Sequence, residues 1–212
     1  EGFLSKAYSA VRLAGGLCIS DEVQVGCGRT GKAFWGFQLH QVVPDIVTIG
    51  KPLGNGHPIA AVVCTQEVAE KFANGMEFFN TFGGNPVSCA IGLKVLQTVK
   101  EEHLQKHALV VGNYLKDELK KIAQEFPIIG DVRGQGLFLG LELVDAHRNP
   151  LAAQTAYLAN RMKDHAILMS TDGPDHNVLK IKPPMVFSKE DADELLFYFK
   201  KILSEDFLKY YA

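Results

Sequence analysis

The chain has 212 residues, of which 47% are hydrophobic, and its formal net charge is -2. This length is enough for the core of one or two domains, and the hydrophobic content is ordinary for a globular protein. The near-neutral charge and the lack of any lysine–arginine block argue against a nucleic-acid partner. No apolar run in the sequence approaches the roughly 18 residues that a membrane span needs, so no membrane partner is expected.

The first predicted element is a helix that starts almost at once. Leu4, Ala7 and Val11 recur at spacings of three and four residues, and Gly15-Gly16 follows as a stop signal. Because the chain enters this helix without an initiator methionine, we interpret it as the carboxyl-terminal part of a longer polypeptide.

The first half then alternates strands with helices. Strands are predicted over about 17–23, 45–50 and 60–65, with one helix from near Gln66 and a longer one from Pro86 to about residue 102. This alternation favours a largely parallel sheet with helices on its faces. The long loop between the first two strands is rich in glycine and aromatic residues. Such loops are often functional, but the aromatics can equally serve only to pin the loop to the surface.

The first two strands each deliver a polar residue to their carboxyl end. The apolar stretch before Asp21 ends in that carboxylate, and the stretch Asp45–Gly50 leads to Lys51. A carboxylate and an amine at neighbouring strand ends suit pyridoxal phosphate, because the lysine forms a Schiff base with the aldehyde and the carboxylate keeps the pyridine nitrogen protonated. An isolated lysine or aspartate at a strand end is usually an ordinary surface residue, so the interpretation depends on the combination.

Residues next to this pair strengthen the prediction. Gln24 can hydrogen-bond the phenolic oxygen of the cofactor, and Val23 is apolar and can pack on the ring face. The amine of Lys51 is a poor nucleophile until it is desolvated or placed near positive charge, and we expect burial of the strand end to achieve this. Gly54 and Gly56 let the backbone approach a flat ligand closely.

A glycine-rich turn, Thr81–Pro86, is a candidate phosphate site. It combines a hydroxyl with exposed amides and ends in a proline that suits the first turn of a helix. A plain helix-initiating turn explains the same residues.

The second half has its own pattern. Its predicted elements are a long amphipathic helix over 104–126, strands within 128–144, a helix over about 151–165, strands over 166–171 and 178–182, and a final helix capped by Ser188 with Asp191. We predict two domains with a boundary inside a helix: residues 1–103, part of a larger α/β domain, and residues 104–212, a small α/β domain.

Arg133 stands between glycine-flanked strand segments. A guanidinium in an apolar neighbourhood needs an anionic partner. That partner is either a substrate carboxylate or an internal acid such as Asp131, and the sequence does not separate the two.

Cysteine and histidine spacing gives no metal site. Cys18, Cys27, Cys64 and Cys89 lack close metal-type spacing and are expected to be buried free thiols in a reducing compartment, the cytoplasm or an organelle matrix. His57 follows Lys51 closely, but a loop histidine satisfied by its neighbours is the favoured interpretation.

Four motifs together carry a family resemblance. They are Asp21-Glu22-Val23-Gln24 with Gly26-Cys27-Gly28-Arg29-Thr30-Gly31, Lys51 in its glycine-rich context, Thr81-Phe82-Gly83-Gly84-Asn85-Pro86, and Val132-Arg133-Gly134-Gln135-Gly136-Leu137. In order and spacing they resemble the class III (ornithine/4-aminobutyrate type) aminotransferases, over nearly the whole chain.

The resemblance implies the fold-type I architecture, with the large mostly parallel-sheet domain and the small carboxyl-terminal domain, in a homodimer with active sites at the interface. It implies that Lys51 is the Schiff-base lysine, Asp21 the partner of the pyridine nitrogen and Gln24 the ligand of the ring oxygen. Thr81 would bind the cofactor phosphate of the neighbouring subunit, and Arg133 the substrate carboxylate. The activity it implies is transfer of an amino group from an amine or amino acid to an α-keto acid.

Two features qualify the resemblance. The amino-terminal half of the family, which holds the main phosphate-binding loop, is not in this chain. The stretch 170–185 is most similar to the alanine–glyoxylate aminotransferase-like branch that contains phospho-lyases acting on ethanolamine phosphate or phosphohydroxylysine. Lys180 and Lys182 can supply charge for a substrate phosphate, although alternating lysines on a strand are more often solvent contacts.

Two alternatives therefore stay open beside the aminotransferase. One is a phospho-lyase, in which a phosphate on the carbon next to the amine leaves after proton removal. The other is a catalytically silent module kept for dimerisation, against which the joint presence of Lys51, Asp21, Gln24 and Thr81 argues.

Overall fold

The polypeptide forms two units, Glu1–Gln105 and Lys106–Ala212. The structure is a computed structural model and describes residues 2–209. The elements that begin in the first unit are, in chain order, α1 (Phe3–Leu13), β1 (Ile19–Asp21), β2 (Ile46–Ile49), β3 (Ala61–Cys64), α2 (Gln66–Phe72), α3 (Pro86–Glu101) and α4 (Leu104–Glu125). The last of these, α4, crosses from the first unit into the second.

The sheet of the first unit has the order β1-β2-β3. Strands β1 and β2 are parallel, as predicted, and Asp21 lies opposite Thr48. Strand β3 is antiparallel to β2, with Ile49 opposite Ala61. The antiparallel return follows from the short connection 50–60, which is too short for the helical crossover that a parallel return requires.

The predicted helices of this unit are confirmed. Helix α1 ends just before Gly15-Gly16, and α3 starts with Pro86 at its first position. Asn85 caps α3, because its side-chain oxygen accepts a hydrogen bond from the backbone N–H of Ser88 at 2.9 Å.

The second unit holds an antiparallel sheet flanked by helices. After α4 its elements are β4 (Ile129–Gln135), β5 (Phe138–Leu143), α5 (Ala152–Lys163), β6 (Ser170–Asp172), β7 (Val178–Ile181), α6 (Lys189–Leu203) and α7 (Asp206–Lys209). The sheet order is β4-β5-β7-β6, and every neighbouring pair is antiparallel. Alternate residues of β5 are buried, so one face of this sheet packs on the helices.

The capping box predicted for α6 is confirmed. The Asp191 backbone N–H donates to the Ser188 hydroxyl at 3.1 Å, and the Ser188 N–H donates to the Asp191 carboxylate at 2.8 Å. Behind it, Leu195, Phe199 and Ile202 of α6 enter the core that also contains Leu141 of β5.

The expectation of buried free thiols is correct for two of the four cysteines. All four cysteines are free, but only Cys18 and Cys27 are buried, while Cys64 and Cys89 are exposed. Cys64 ends β3, whose last three residues are all exposed, so an apolar strand pattern did not imply burial there. Burial raises the pKa of the Cys27 thiol to about 11, which keeps it protonated at neutral pH.

Candidate functional site at the strand ends

Asp21 and Lys51 come from neighbouring parallel strands at the same edge of the sheet. Asp21 is the last residue of β1, and β2 ends at Ile49, two residues before Lys51. Because Asp21 pairs in register with Thr48, both chains leave the sheet in the same direction before they reach these side chains. The predicted placement at adjoining carboxyl ends is therefore what the structure has.

The carboxylate of Asp21 is held in a fixed orientation. Its Oδ1 accepts a hydrogen bond from the Val23 backbone N–H at 3.0 Å and one from the Thr48 hydroxyl at 3.3 Å. The residue is nevertheless exposed in this chain. An oriented and accessible carboxylate is suited to receiving a hydrogen bond from a ligand.

Val23 and Gln24 lie in the turn directly after β1 and are both half-buried. The Val23 side chain packs beside Gly50, since an added Cβ on Gly50 would meet Val23 Cγ2 at 3.6 Å. Val23 is thus close to the backbone that leads into Lys51. This placement agrees with its predicted role of packing on the face of a ring that lies between Asp21 and Lys51.

Lys51 differs from the prediction in two respects. The strand stops before it, and Lys51 opens the 3₁₀ turn Lys51–Leu53 with φ near +29°, in the left-handed region. Its side chain is exposed, so the described residues do not by themselves provide the burial that we expected to desolvate the amine. The strand ends at Ile49, and the flanking Gly50 and Pro52 are both residue types that are unfavourable inside a strand.

The loop after Lys51 requires glycine at Gly54. A Cβ there would lie 1.9 Å from the carbonyl oxygen of His57, a distance that no side chain can occupy. The close approach therefore serves to fold the loop on itself, a use of glycine that differs from the predicted approach to a ligand.

The Thr81 turn is a polar loop braced by two asparagines. Asn80 Oδ1 accepts from the N–H groups of Phe82 at 3.2 Å and Gly83 at 2.9 Å, and Asn85 Nδ2 donates to the Phe82 carbonyl at 2.8 Å. Thr81 itself is exposed. The turn thus presents its hydroxyl on a backbone that other side chains hold in place.

A hydrogen bond joins this turn to the loop after Lys51. His57 Nε2 lies 2.7 Å from the Ser88 hydroxyl, which also accepts from Asn85 Nδ2 at 3.0 Å. The prediction that His57 is a loop histidine satisfied by its neighbours is confirmed. Ser88 carries no motif signal of its own, and its buried position in the first turn of α3 is visible only in the structure.

Glu22 is the other residue whose importance only the structure reveals. It is 0% exposed, although it stands between exposed Asp21 and half-buried Val23. Its Oε2 accepts from the Gly36 N–H at 2.7 Å, and its Oε1 accepts from the Phe37 N–H at 3.0 Å and from the Ser20 hydroxyl at 3.0 Å. A Cβ at position 36 would lie 3.3 Å from Glu22 Oε2, so the glycine there allows a close approach of the carboxylate, but no motif connects it with Glu22.

Arg133 lies in the second unit, in β4, and has internal acids as partners. Its Nη1 is 2.9 Å from Asp131 Oδ2 and 2.6 Å from Glu142 Oε2. The hydrogen bonds that Arg133 donates to Glu142 and Asp131 raise the pKa of Arg133, and the Arg133 guanidinium in turn lowers the pKa of Glu142. Of the two partners that the sequence left open, the structure provides the internal one.

The second unit also contains a cavity of about 550 Å³ between its last strands and α6. Lys180 and Lys182 are among its lining residues, as are Asp191 and Glu194. Lys180 is not a simple solvent contact, because its Nζ lies 2.7 Å from Asp172 Oδ2.

Across residues 2–209 the structure groups no three histidine, cysteine, aspartate or glutamate residues so that they can hold a metal ion. Over the same range, no helix is both long and apolar enough to traverse a bilayer.

Comparison with known proteins agrees with this geometry. The family model of the class III aminotransferases matches residues 1–203. The chain belongs to this family. It is 52% identical over 207 residues to an alanine–glyoxylate aminotransferase 2-like protein of Drosophila melanogaster, covering 96% of this chain and 42% of that protein. It is 43% identical to the human mitochondrial alanine–glyoxylate aminotransferase 2, covering 97% of this chain and 40% of that protein.

Among solved structures, a phospholyase from Arthrobacter in complex with phosphoethanolamine superposes with a TM-score of 0.93 at 47% identity, covering 97% of this chain and 49% of that one. The fold-type I assignment and the predicted likeness to the alanine–glyoxylate aminotransferase and phospho-lyase branch are confirmed. The chain spans less than half the length of these relatives.

Proposed function

We propose that the protein to which this chain belongs is an aminotransferase that uses pyridoxal phosphate and moves an amino group from an amine or amino acid to an α-keto acid. The observation that carries the proposal is the parallel pairing of β1 and β2, which brings Asp21 and Lys51 to one edge of the sheet. Membership in the class III family supports the same activity.

The residues of the first unit fit this cofactor in their chemistry. Asp21 is an oriented carboxylate for the pyridine nitrogen, Gln24 an amide for the ring oxygen and Val23 an apolar side chain for the ring face. Lys51 is an accessible amine and Thr81 an accessible hydroxyl for a phosphate. When bound, pyridoxal phosphate supplies an aldehyde that condenses with amines and a ring that accepts electrons.

Each of these side chains has a definite task in the transfer. Asp21 keeps a proton on the ring nitrogen, and its two hydrogen bonds at Oδ1 hold it in the orientation for this. Lys51 Nζ would hold the cofactor through its aldehyde, and as a free amine it would be the base that moves a proton at the amine-bearing carbon of the substrate. We also propose that Thr81 serves the active site of a neighbouring subunit in a homodimer.

Arg133 remains our proposed ligand for a substrate carboxylate. Its bonds to Asp131 and Glu142 mean that a substrate must compete with an acid already in place. An Arg133→Gln variant separates the two roles. A substrate ligand raises the KM for carboxylate substrates with little change for amines that lack the group, whereas a structural partner of Glu142 lowers the melting temperature and leaves the ratio of the two KM values unchanged.

We assign residues 1–103 to the carboxyl-terminal portion of the large cofactor-binding domain and 104–212 to the small domain. We place the protein in the cytoplasm or an organelle matrix, and the mitochondrial name of the human relative favours the matrix.

A phospho-lyase is the second candidate, and a specific observation favours it. The Arthrobacter relative at 47% identity is a phospholyase described with phosphoethanolamine. Lys180, which lines the cavity of the second unit, carries a positive charge that suits a phosphate, although the phosphate would have to compete with Asp172, whose Oδ2 lies 2.7 Å from Lys180 Nζ. Inorganic phosphate released from ethanolamine phosphate identifies this activity, and a keto product formed from an amine and an α-keto acid identifies transfer.

The experiment that tests both candidates is borohydride reduction of the full-length protein in the presence of pyridoxal phosphate, followed by peptide mass analysis. We expect the reduced adduct on the peptide that contains Lys51. Lys51→Ala should abolish the adduct and lower kcat roughly 10²–10⁴-fold, since it removes the group that moves the proton. Lys71→Ala, which removes an exposed lysine of α2, is the matched control and should change neither.

A reduced adduct on a different peptide, or no adduct at all, would refute the proposed enzymatic function. It would leave the silent dimerisation module as the explanation for the retained fold.

A further inference from the structure

The turn that carries Val23 and Gln24 is linked to the segment 36–37 by the side chain of Glu22. The Glu22 side chain is fully buried, and its described partners are two backbone N–H groups and one hydroxyl. A buried carboxylate is costly unless donors satisfy both of its oxygens. Here both oxygens are satisfied by backbone of the segment 36–37 and by Ser20, so the carboxylate ties that segment to the end of β1.

Packing reinforces the tie. A Cβ on Gly26 would lie 2.9 Å from the ring of Trp35, and a Cβ on Gly36 would lie 2.8 Å from Val25 Cγ2. The segment 35–37 therefore rests directly on the turn 22–26. This segment belongs to the long loop between β1 and β2, whose role the sequence left open. Here the loop supports the turn 22–26.

We propose that Glu22 is a positioning residue for the cofactor site. By holding the segment 35–37 against the turn 22–26, it fixes where Val23 and Gln24 lie relative to Asp21. The inference rests on the proposed use of pyridoxal phosphate, and it adds a residue that makes no contact with the ligand itself. Supporting groups of this kind matter because a site displaced by a fraction of an ångström binds and reacts less well.

The variant Glu22→Gln tests the tie without changing side-chain size. The amide keeps one oxygen and replaces the other with NH2. If the oxygen takes the Oε1 position, the NH2 faces the Gly36 N–H, and if it takes the Oε2 position, the NH2 faces the Phe37 N–H. Either orientation sets a donor against a donor, so one backbone amide loses its partner.

Two further variants serve as a control and as an independent test. Ser20→Ala removes the hydroxyl that donates to Glu22 and that also interacts with the Tyr8 side chain, and it leaves both backbone bonds of Glu22 in place, so it is the matched control. Gly36→Ala keeps the carboxylate and pushes the segment 35–37 away from Val25 through its added methyl group. It tests the same link if Glu22→Gln does not fold.

The experiment measures two properties of the full-length protein: hydrogen exchange of the Gly36 and Phe37 amides without cofactor, and the Kd of pyridoxal phosphate by absorbance titration. For Glu22→Gln we expect faster exchange at these amides and a Kd raised roughly 10- to 100-fold, with Gly36→Ala changed in the same direction. Ser20→Ala should stay within about threefold of the wild type in Kd, because it leaves both backbone bonds intact.

Faster exchange with an unchanged Kd in a folded Glu22→Gln or Gly36→Ala protein would overturn the proposal, since Glu22 would then stabilise only its own loop. Unchanged exchange would overturn it as well. If the wild-type protein binds no pyridoxal phosphate, the proposed function is refuted and the role of Glu22 in cofactor binding with it. The wild-type titration shows this before any variant is measured.

Discussion

The two units differ in how they bury apolar side chains. The largest side chains with an exposed fraction below 2%, from Leu115 to Leu203 along the chain, all lie in the second unit. Most of the exposed large hydrophobic residues lie in the first, among them Phe78, Phe79 and Phe82 at 72%, 79% and 80% exposure. The described residues of the first unit, which we assign to part of a larger domain, therefore bury fewer large apolar side chains among themselves.

Polar connections hold several loops of the first unit in place. Its loops are held by the carboxylate of Glu22, by Asn85 and by the bond between His57 and Ser88. The second unit is held by a continuous apolar core between its sheet and helices. Variants in the two units should therefore report on different properties, stability in the second and local order and ligand affinity in the first.

The largest expected effect is in the core of the second unit. Phe199→Ala removes a side chain that is 0% exposed and should lower the free energy of unfolding by about 3–5 kcal/mol. Phe79→Ala, an equal truncation at an exposed site of the first unit, should change it by less than about 0.5 kcal/mol. Urea titration followed by circular dichroism gives both values, and equal losses would contradict the comparison.

A second effect depends on pH. Glu205 accepts hydrogen bonds from Arg161 at 2.8 Å and from Tyr157 at 2.5 Å, and these bonds lower its pKa from the usual 4.5 to about 2. Because the folded pKa lies below the unfolded one, the stabilisation is fully present above about pH 4.5 and disappears as the pH falls towards 2.

Glu205→Gln should therefore be less stable than the wild type at pH 6 and approach it at pH 2.5, measured as a difference in melting temperature. A constant difference between the two pH values would show that the charge of Glu205 contributes nothing.

The smallest expected effects come from removing one helix cap in each unit. Ser188→Ala removes the cap of α6 and should lower the free energy of unfolding by about 1 kcal/mol. Asn85→Ala removes the cap of α3 in the loosely packed unit, and should appear mainly as faster hydrogen exchange over 81–88, with less effect on global unfolding. Equal global losses would indicate that the two units unfold as one.

Local signals predict much of this structure. Pro86 and Ser188 mark helix starts that the structure confirms, because a cap or a fixed φ acts within a few residues. The placement of Asp21 and Lys51 at strand ends rests on signals of the same local kind. Features that depend on segments remote in sequence could not be predicted in this way. The contact of His57 with Ser88 and the pairing of Arg133 with Glu142 of the neighbouring strand belong to that group.

Glu22 illustrates the limit most clearly. Its partners Gly36 and Phe37 lie in another segment, and nothing near it in the sequence distinguishes a buried carboxylate from a solvated one. The motif that contains it identifies Asp21 and Gln24 by the chemistry of their side chains. A residue that acts through the backbone of a distant loop has no such local signature.

The backbone conformation of Lys51 has a consequence for stability. Its φ near +29° is one that a residue with a side chain adopts at a cost and that glycine adopts freely. Lys51→Gly should therefore melt at a higher temperature than Lys51→Ala, although both lack the amine. A comparison of the two melting temperatures therefore separates the cost of the backbone conformation from the loss of the amine, which both variants share.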